Sequence, residues 1–175
     1  SGIDVDLSGT GIASPTSTSC SGGIFSASIT FSSGDGIKNI VAAQTDLAGN
    51  SANDNRNFYR DTTAPVILIT APAANTIGTT GLPISGTCED GFTVNLSGSG
   101  LASPSTTTCT ASSFAVTVNF TAGDGSKEIV AAQTDAAGNT GSDTRTFIRD
   151  DSAPAIVITG PAVNFAHPTG VTLAC

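Results

Sequence analysis

The side chains best placed to do chemistry in this chain are carboxylates and amides in turns, together with four cysteines. Two five-residue loops, Asp46-Leu47-Ala48-Gly49-Asn50 and Asp135-Ala136-Ala137-Gly138-Asn139, have the same pattern. Calcium takes six to eight oxygen ligands from carboxylates, amide oxygens and backbone carbonyls. Asp61, Asp90, Asp135 and Asn139 form the candidate calcium set, with Asp46, Asn50, Asp150 and Asp151 as their equivalents at neighbouring junctions. The competing reading makes each loop a tight turn, with Asp capping its own backbone and Gly and Asn accepting positive φ. The Gly-Asp-Gly triplets at 34–36 and 123–125 read as plain turns.

Cys20, Cys88, Cys109 and Cys175 show no Cys-x-x-Cys spacing, which points to structural disulfides in an oxidising compartment rather than a metal site. Catalysis finds little material: His167 is the single histidine, beside Pro168, and no nucleophile–base set accompanies it. The expectation is a protein that is not an enzyme. Lys38 and Lys127 raise the question of a Lys–Asn crosslink, but Lys127 beside its turn reads as a solvated lysine at a strand edge.

Composition narrows the class further. Charged residues make up 11% of 175 residues, aromatics 5%, and the net charge is −8. That acidity excludes nucleic acid as a partner and suits divalent cations. No apolar run reaches the roughly 18 residues of a membrane-spanning helix, so direct membrane insertion is not expected.

The elements that carry these residues recur at a spacing of about 89 residues. GDGIKNIVAAQTDLAGN at 34–50 returns as GDGSKEIVAAQTDAAGN at 123–139, Cys20 aligns with Cys109, and Arg60-Asp61 aligns with Arg149-Asp150. About half of residues 1–61 match 90–150. A complete unit is expected over 63–151, the C-terminal two-thirds of a unit over 1–62, and the N-terminal strands of another over 152–175. The ends fit each other: TLAC at the end and SGIDVDLSG at the start together resemble GTCEDGFTVNLSG of the intact unit.

Alternation of apolar and polar residues marks strands. Phe114, Val116, Val118 and Phe120 share a face, as do Phe25, Ala27, Ile29 and Phe31; Val94 and Leu96 match Val5 and Leu7. Seven strands are expected in the intact unit, near 65–70, 81–88, 92–97, 105–110, 113–120, 127–134 and 142–149. This pattern predicts an all-β chain of tandem immunoglobulin-like sandwiches. Alternating strand directions would bring Asp90, Ala111-Ser112 and the 135–139 loop to the end where Asp61 enters. Cys88 and Cys109 fall at the same end and are expected to pair; Cys20 and Cys175 would pair between copies or adjacent repeats.

The Asp-x-Ala-Gly-Asn loops, the linkers RDTTAP (60–65) and RDDSAP (149–154), and ISGTCEDGFTVNLSG (84–98) resemble the bacterial immunoglobulin-like repeats of large surface adhesins. That resemblance implies an extracellular or cell-surface stalk of repeats, often with calcium at the junctions. Two arrangements of the chain follow: a structural repeat in a stalk, adhesin or fibre, or a filament subunit in which residues 152–175 complete the 1–62 sandwich of the next copy. A ligand- or glycan-binding module has only Ser/Thr/Asn-rich loops in its favour. The partners expected are other copies or flanking repeats.

Overall fold

The computed structural model describes residues 3–159 and Gly170. Every regular element among them is a strand. In chain order these are β1 (Asp4–Ser8), β2 (Ile12–Ser14), β3 (Ser17–Ser21), β4 (Ile24–Phe25), β5 (Thr30–Phe31), β6 (Gly36–Thr45), β7 (Ser51–Arg60), β8 (Leu68–Ala71), β9 (Ile77–Gly78), β10 (Gly81–Thr87), β11 (Thr93–Ser97), β12 (Leu101–Ser103), β13 (Thr106–Thr108), β14 (Ser113–Phe120), β15 (Gly125–Thr134) and β16 (Thr140–Arg149).

The strands from β8 onward form two sheets, β12-β14-β10-β8 and β13-β11-β15-β16-β9. All their pairings are antiparallel except β9 with β16, which is parallel. The sequence pattern locates seven of these nine strands and misses two short ones, β9 and β12. Inward positions of both sheets meet in one core: Ile69, Ile84, Val94, Val118, Ile129 and Phe147 are fully buried. Val94 and Leu96 are buried while Thr93, Asn95 and Ser97 are exposed, the alternation of a strand with one wet face.

The strands before β8 repeat only part of this plan. The strands β3-β1-β6-β7 match β13-β11-β15-β16 one for one, with β4 added at the β3 edge, but opposite them stand only β2 and β5. Residues equivalent to β8 and β10 are absent from residues 3–62. One expected strand suffers directly. In the intact unit β14 runs unbroken because β10 pairs with it from Gly81↔Asn119 to Thr87↔Ser113. Its equivalent has no such partner and divides: β4 turns to pair with β3, β5 pairs with β2, and residues 26–29 are not strand. Phe25 is consequently 44% exposed, against 3% for Phe114.

The linker junction as candidate functional site

Residues 60–67 join the two strand sets and are held from both sides. On the upstream side Asp35, from the Gly-Asp-Gly turn before β6, accepts hydrogen bonds from Arg60 Nη1 (2.8 Å), Thr62 Oγ1 (2.9 Å) and Thr63 Oγ1 (3.0 Å). These bonds, Thr62's foremost, hold the Asp35 carboxyl below the ordinary aspartate value. The turn is therefore not a plain one, as its sequence suggested. Glycine on both sides, at φ +78° and +108°, lets the backbone fold tightly and aim the carboxylate at the linker.

The same device recurs one repeat later. Asp124 accepts the backbone N–H of Asp151 (2.8 Å) and the hydroxyl of Ser152, and these bonds, with Arg149 nearby, lower its pKa. Arg149 also donates to Asp151 at 2.9 Å and to the carbonyls of Thr79 and Thr121.

On the downstream side Asn139 Nδ2 donates to the carbonyl of Asp61 at 3.3 Å. Pro65 is buried, and its carbonyl lies where a side chain on Gly141 would stand: an added Cβ would fall 1.9 Å from that oxygen. Gln133, fully buried, ties the neighbouring turn in place, accepting from Glu89 N and donating to the carbonyls of Glu89 and Phe92. The sequence signal for it is its place two residues beyond Ile129 and Ala131, on the same face of β15.

The candidate calcium residues are partly brought together. Asp61 and Asp135 line one shallow cleft with Thr63, Pro65, Cys88 and Glu89; Glu89, not Asp90, is the acidic residue of that turn facing it. The Asp135 carboxylate accepts from Ala137 N, Asn139 N and Asn139 Nδ2, all at 2.9 Å, which lowers its pKa chiefly through Asn139. Asp46 does the same with Ala48 and Asn50. These are the bonds of a self-capped turn. Asp150 Oδ1 accepts from Ser152 N, and Asp151 pairs with Arg149. Among the described residues, no group of three or more His, Cys, Asp or Glu is arranged to hold a metal ion.

Cys88 and Cys109 are disulfide-bonded with Cα atoms 6.0 Å apart, at this same end of the unit. Cys88 N also donates to the carbonyl of Ser112, so the three turns expected near Asp61 do meet there. Cys20 is unpaired; Cys175 and His167 lie outside the described residues.

Lys127 corrects its sequence reading. It is buried at 6% exposure, as is Lys38, and neither sits in solvent. Lys127 Nζ donates to Thr121 Oγ1 (3.3 Å) and Ala122 O (3.1 Å), and Lys38 Nζ to Ser32 Oγ and Ser33 O. The stem of each lysine crosses to the second sheet because a glycine opposite, Gly11 or Gly100, leaves room: an added Cβ there would lie 2.6 Å from the lysine Cβ. Each ammonium closes the loop that precedes its own strand. No Asn or acidic side chain is among these bonded partners.

No protein-family model matches the chain, and none of the curated proteins matches it. Among solved structures it is similar to a tetra-tandem repeat in the extending region of a large adhesion protein, at 24% identity and TM-score 0.45. The likeness covers 86% of this chain and 42% of that one, so this chain spans less than half of its length.

Proposed function

We propose that this chain is a load-bearing segment of an extended, extracellular array of immunoglobulin-like sandwiches, a stalk, adhesin or fibre in which it acts by shape and stiffness and not by catalysis. The observation that carries this reading is the two-sided hold on the linker: Asp35 grips Thr62 and Thr63 from one unit, while Asn139 and the Gly141 surface hold Asp61 and Pro65 from the other. A linker with nearly every residue engaged has little freedom to bend, and its proline removes more. Recurrence of the grip at Asp124 and Ser152 fits a device serving every joint.

The test is a label-to-label distance distribution across the linker, with one label on each side. A narrow distribution in the native chain, broadened by Gly141→Ala and by Asp35→Ala, supports the reading. A broad distribution in the native chain overturns it.

Calcium at the joint is the second reading, favoured by Asp61 and Asp135 of the candidate set lining one cleft. A melting temperature that rises with added calcium and falls with chelator supports it; identical melts remove it.

A further inference from the structure

The two buried lysines stand in one hydrogen-bond network that is built twice. In the earlier unit Lys38 Nζ donates to Ser32 Oγ (3.4 Å) and to the carbonyl of Ser33 (3.0 Å). Ser32 Oγ donates onward to the carbonyl of Thr10, and Ser32 N to the carbonyl of Gly11. Gly11 N then donates to the carbonyl of Asn39, next to Lys38 on β6. Each bond returns one repeat later. Lys127 meets Thr121 Oγ1 and Ala122 O, Thr121 donates to the carbonyls of Ser99 and Gly100, and Gly100 N donates to the carbonyl of Glu128. The intact unit contains β8 and β10 while the earlier unit has no counterpart of either, so the network does not depend on them.

Burying an ammonium away from any carboxylate is destabilising, and an apolar chain of similar length would fill the same space without that penalty. Among the described residues neither lysine is paired with a carboxylate. What each ammonium does instead is close a loop, and that loop carries the carboxylate that grips the linker. Asp35 lies between Ser33 and Lys38, inside the span the ammonium bridges, and it holds Thr62 and Thr63. Asp124 lies likewise between Ala122 and Lys127, and it holds Ser152.

Packing does not aim these carboxylates. Nothing lies within 4 Å of where a Cβ on Gly34 or Gly36 would stand, and the same is true of Gly123 and Gly125. Glycine on both sides leaves the intervening aspartate a wide choice of backbone angles, so hydrogen bonds must remove that freedom. The β6–β7 ladder begins at Gly36↔Arg60 and fixes one side of Asp35. The other side runs through Gly34 to Ser33, and there the lysine is the anchor.

We propose that Lys38 and Lys127 are the positioning residues of the joints: each buried ammonium locks the loop whose carboxylate grips the linker, and so couples the interior of a sandwich to the segment that leaves it. The path runs from Thr10 and Gly11 through Ser32 and Lys38 to the loop, and from Asp35 to Thr62 and Thr63. Without the ammonium the strands β6 and β7 stay paired, but the tip of the loop is free to turn its carboxylate away. The inference rests on the array reading above and deepens it by naming what aims the grip.

The test compares three variants of the full chain by carboxyl NMR titration of Asp35 and by the label-to-label distance distribution across the linker. Lys38→Met keeps an unbranched stem and removes the ammonium. Ser32→Ala removes one of its two partners without changing any charge, and it serves if Lys38→Met fails to fold. Ile40→Ala opens the core of the same strand and leaves the network alone. Lys38→Met and, to a smaller extent, Ser32→Ala should move Asp35 toward the ordinary aspartate range and widen the distribution. Ile40→Ala should lower the melting temperature and change neither. An Asp35 titration unmoved by both network variants overturns the inference. So does a shift in Lys38→Met alone with the distribution unchanged, because that is loss of charge without loss of position. A broad distribution in the native chain overturns the array reading instead, and the Asp35 titration in Ser32→Ala then still decides whether the lysine network aims the carboxylate.

Discussion

Thr62 donates its hydroxyl to both carboxylate oxygens of Asp35, at 2.9 and 3.1 Å, across 27 residues of sequence. A linker residue is thereby tied to a turn that no pattern of hydrophobicity connects to it. The bond is made to the ionised carboxylate, so it holds the Asp35 pKa down, and the sign of its pH dependence follows. A group with a depressed folded pKa contributes stability above its unfolded value, about 3.9, and loses it as pH falls from there through the folded value. The linker should hence be fully gripped at neutral pH and release only in that acid window. Carbon-detected NMR titration should show Asp35 titrating below the ordinary aspartate range, and returning toward it in Thr62→Val/Thr63→Val. An unshifted Asp35 in the native chain would remove the grip.

Lys38 and Lys127 are the chain's two lysines, and both are buried. Amine-reactive reagents need a free, deprotonated amine within reach of solvent. The folded chain should consequently leave both lysines unmodified under conditions that label both after denaturation, with mass spectrometry of tryptic fragments as the readout. Fast labelling of Lys127 in the folded chain would restore the solvated lysine that its place beside a turn first suggested.

What was legible in the sequence, and what was not, divides along physical lines. Strands with one wet face announce themselves by period two, so Thr93–Ser97 and Ser113–Phe120 are plain in the amino-acid pattern. Cys88 and Cys109 could be placed at one end by counting strand directions. The break between β4 and β5 could not be read that way. The residues from Phe25 to Phe31 have the same alternation as Phe114 to Phe120, and only the missing pairing partner separates their fates. Lys127 departs from its sequence reading for a related reason: nothing local says that Gly100, in the turn between β11 and β12, clears a path for its stem. Asp35 and Asp124 read as mere turn formers in the sequence because their hydrogen-bond partners lie almost thirty residues away.

The Cys88–Cys109 bond closes a separation of 21 residues at the end of the unit that faces the linker. A crosslink of that span removes chain entropy from the unfolded state worth about 3 kcal/mol in the loop-closure model. The double variant Cys88→Ala/Cys109→Ala should lose close to that amount in denaturant unfolding. The fragile side of the unit should be the linker side, so amide exchange should rise first around Glu89, Ser112 and Asp135. A loss confined to the opposite turns would show that the bond does not stabilise the junction.

The hairpin beside that disulfide holds two residues in an unfavourable backbone region. Ala111 and Ser112 have φ of 50° and 57°, and in the earlier copy the same two places are Gly22 and Gly23, at 60° and 79°. The turn Thr110–Ser113 is closed by hydrogen bonds in both directions between those two residues, so its geometry is set by the hairpin and not by the residues within it. Left-handed backbone costs a residue with a Cβ about 1 kcal/mol or more, while glycine's larger unfolded-state entropy returns about half to all of that. The balance favours glycine at both places, so Ala111→Gly/Ser112→Gly should raise stability by up to about 1 kcal/mol. For a unit of this size that is a gain of up to about 4 °C in the melting temperature. The reverse exchange, Gly22→Ala/Gly23→Ser, should cost less, because the hairpin there joins only Ile24 and Phe25 to β3 and no disulfide holds it to the rest of the unit. Equal and opposite effects in the two copies would mean that the turn alone, without its surroundings, sets the strain.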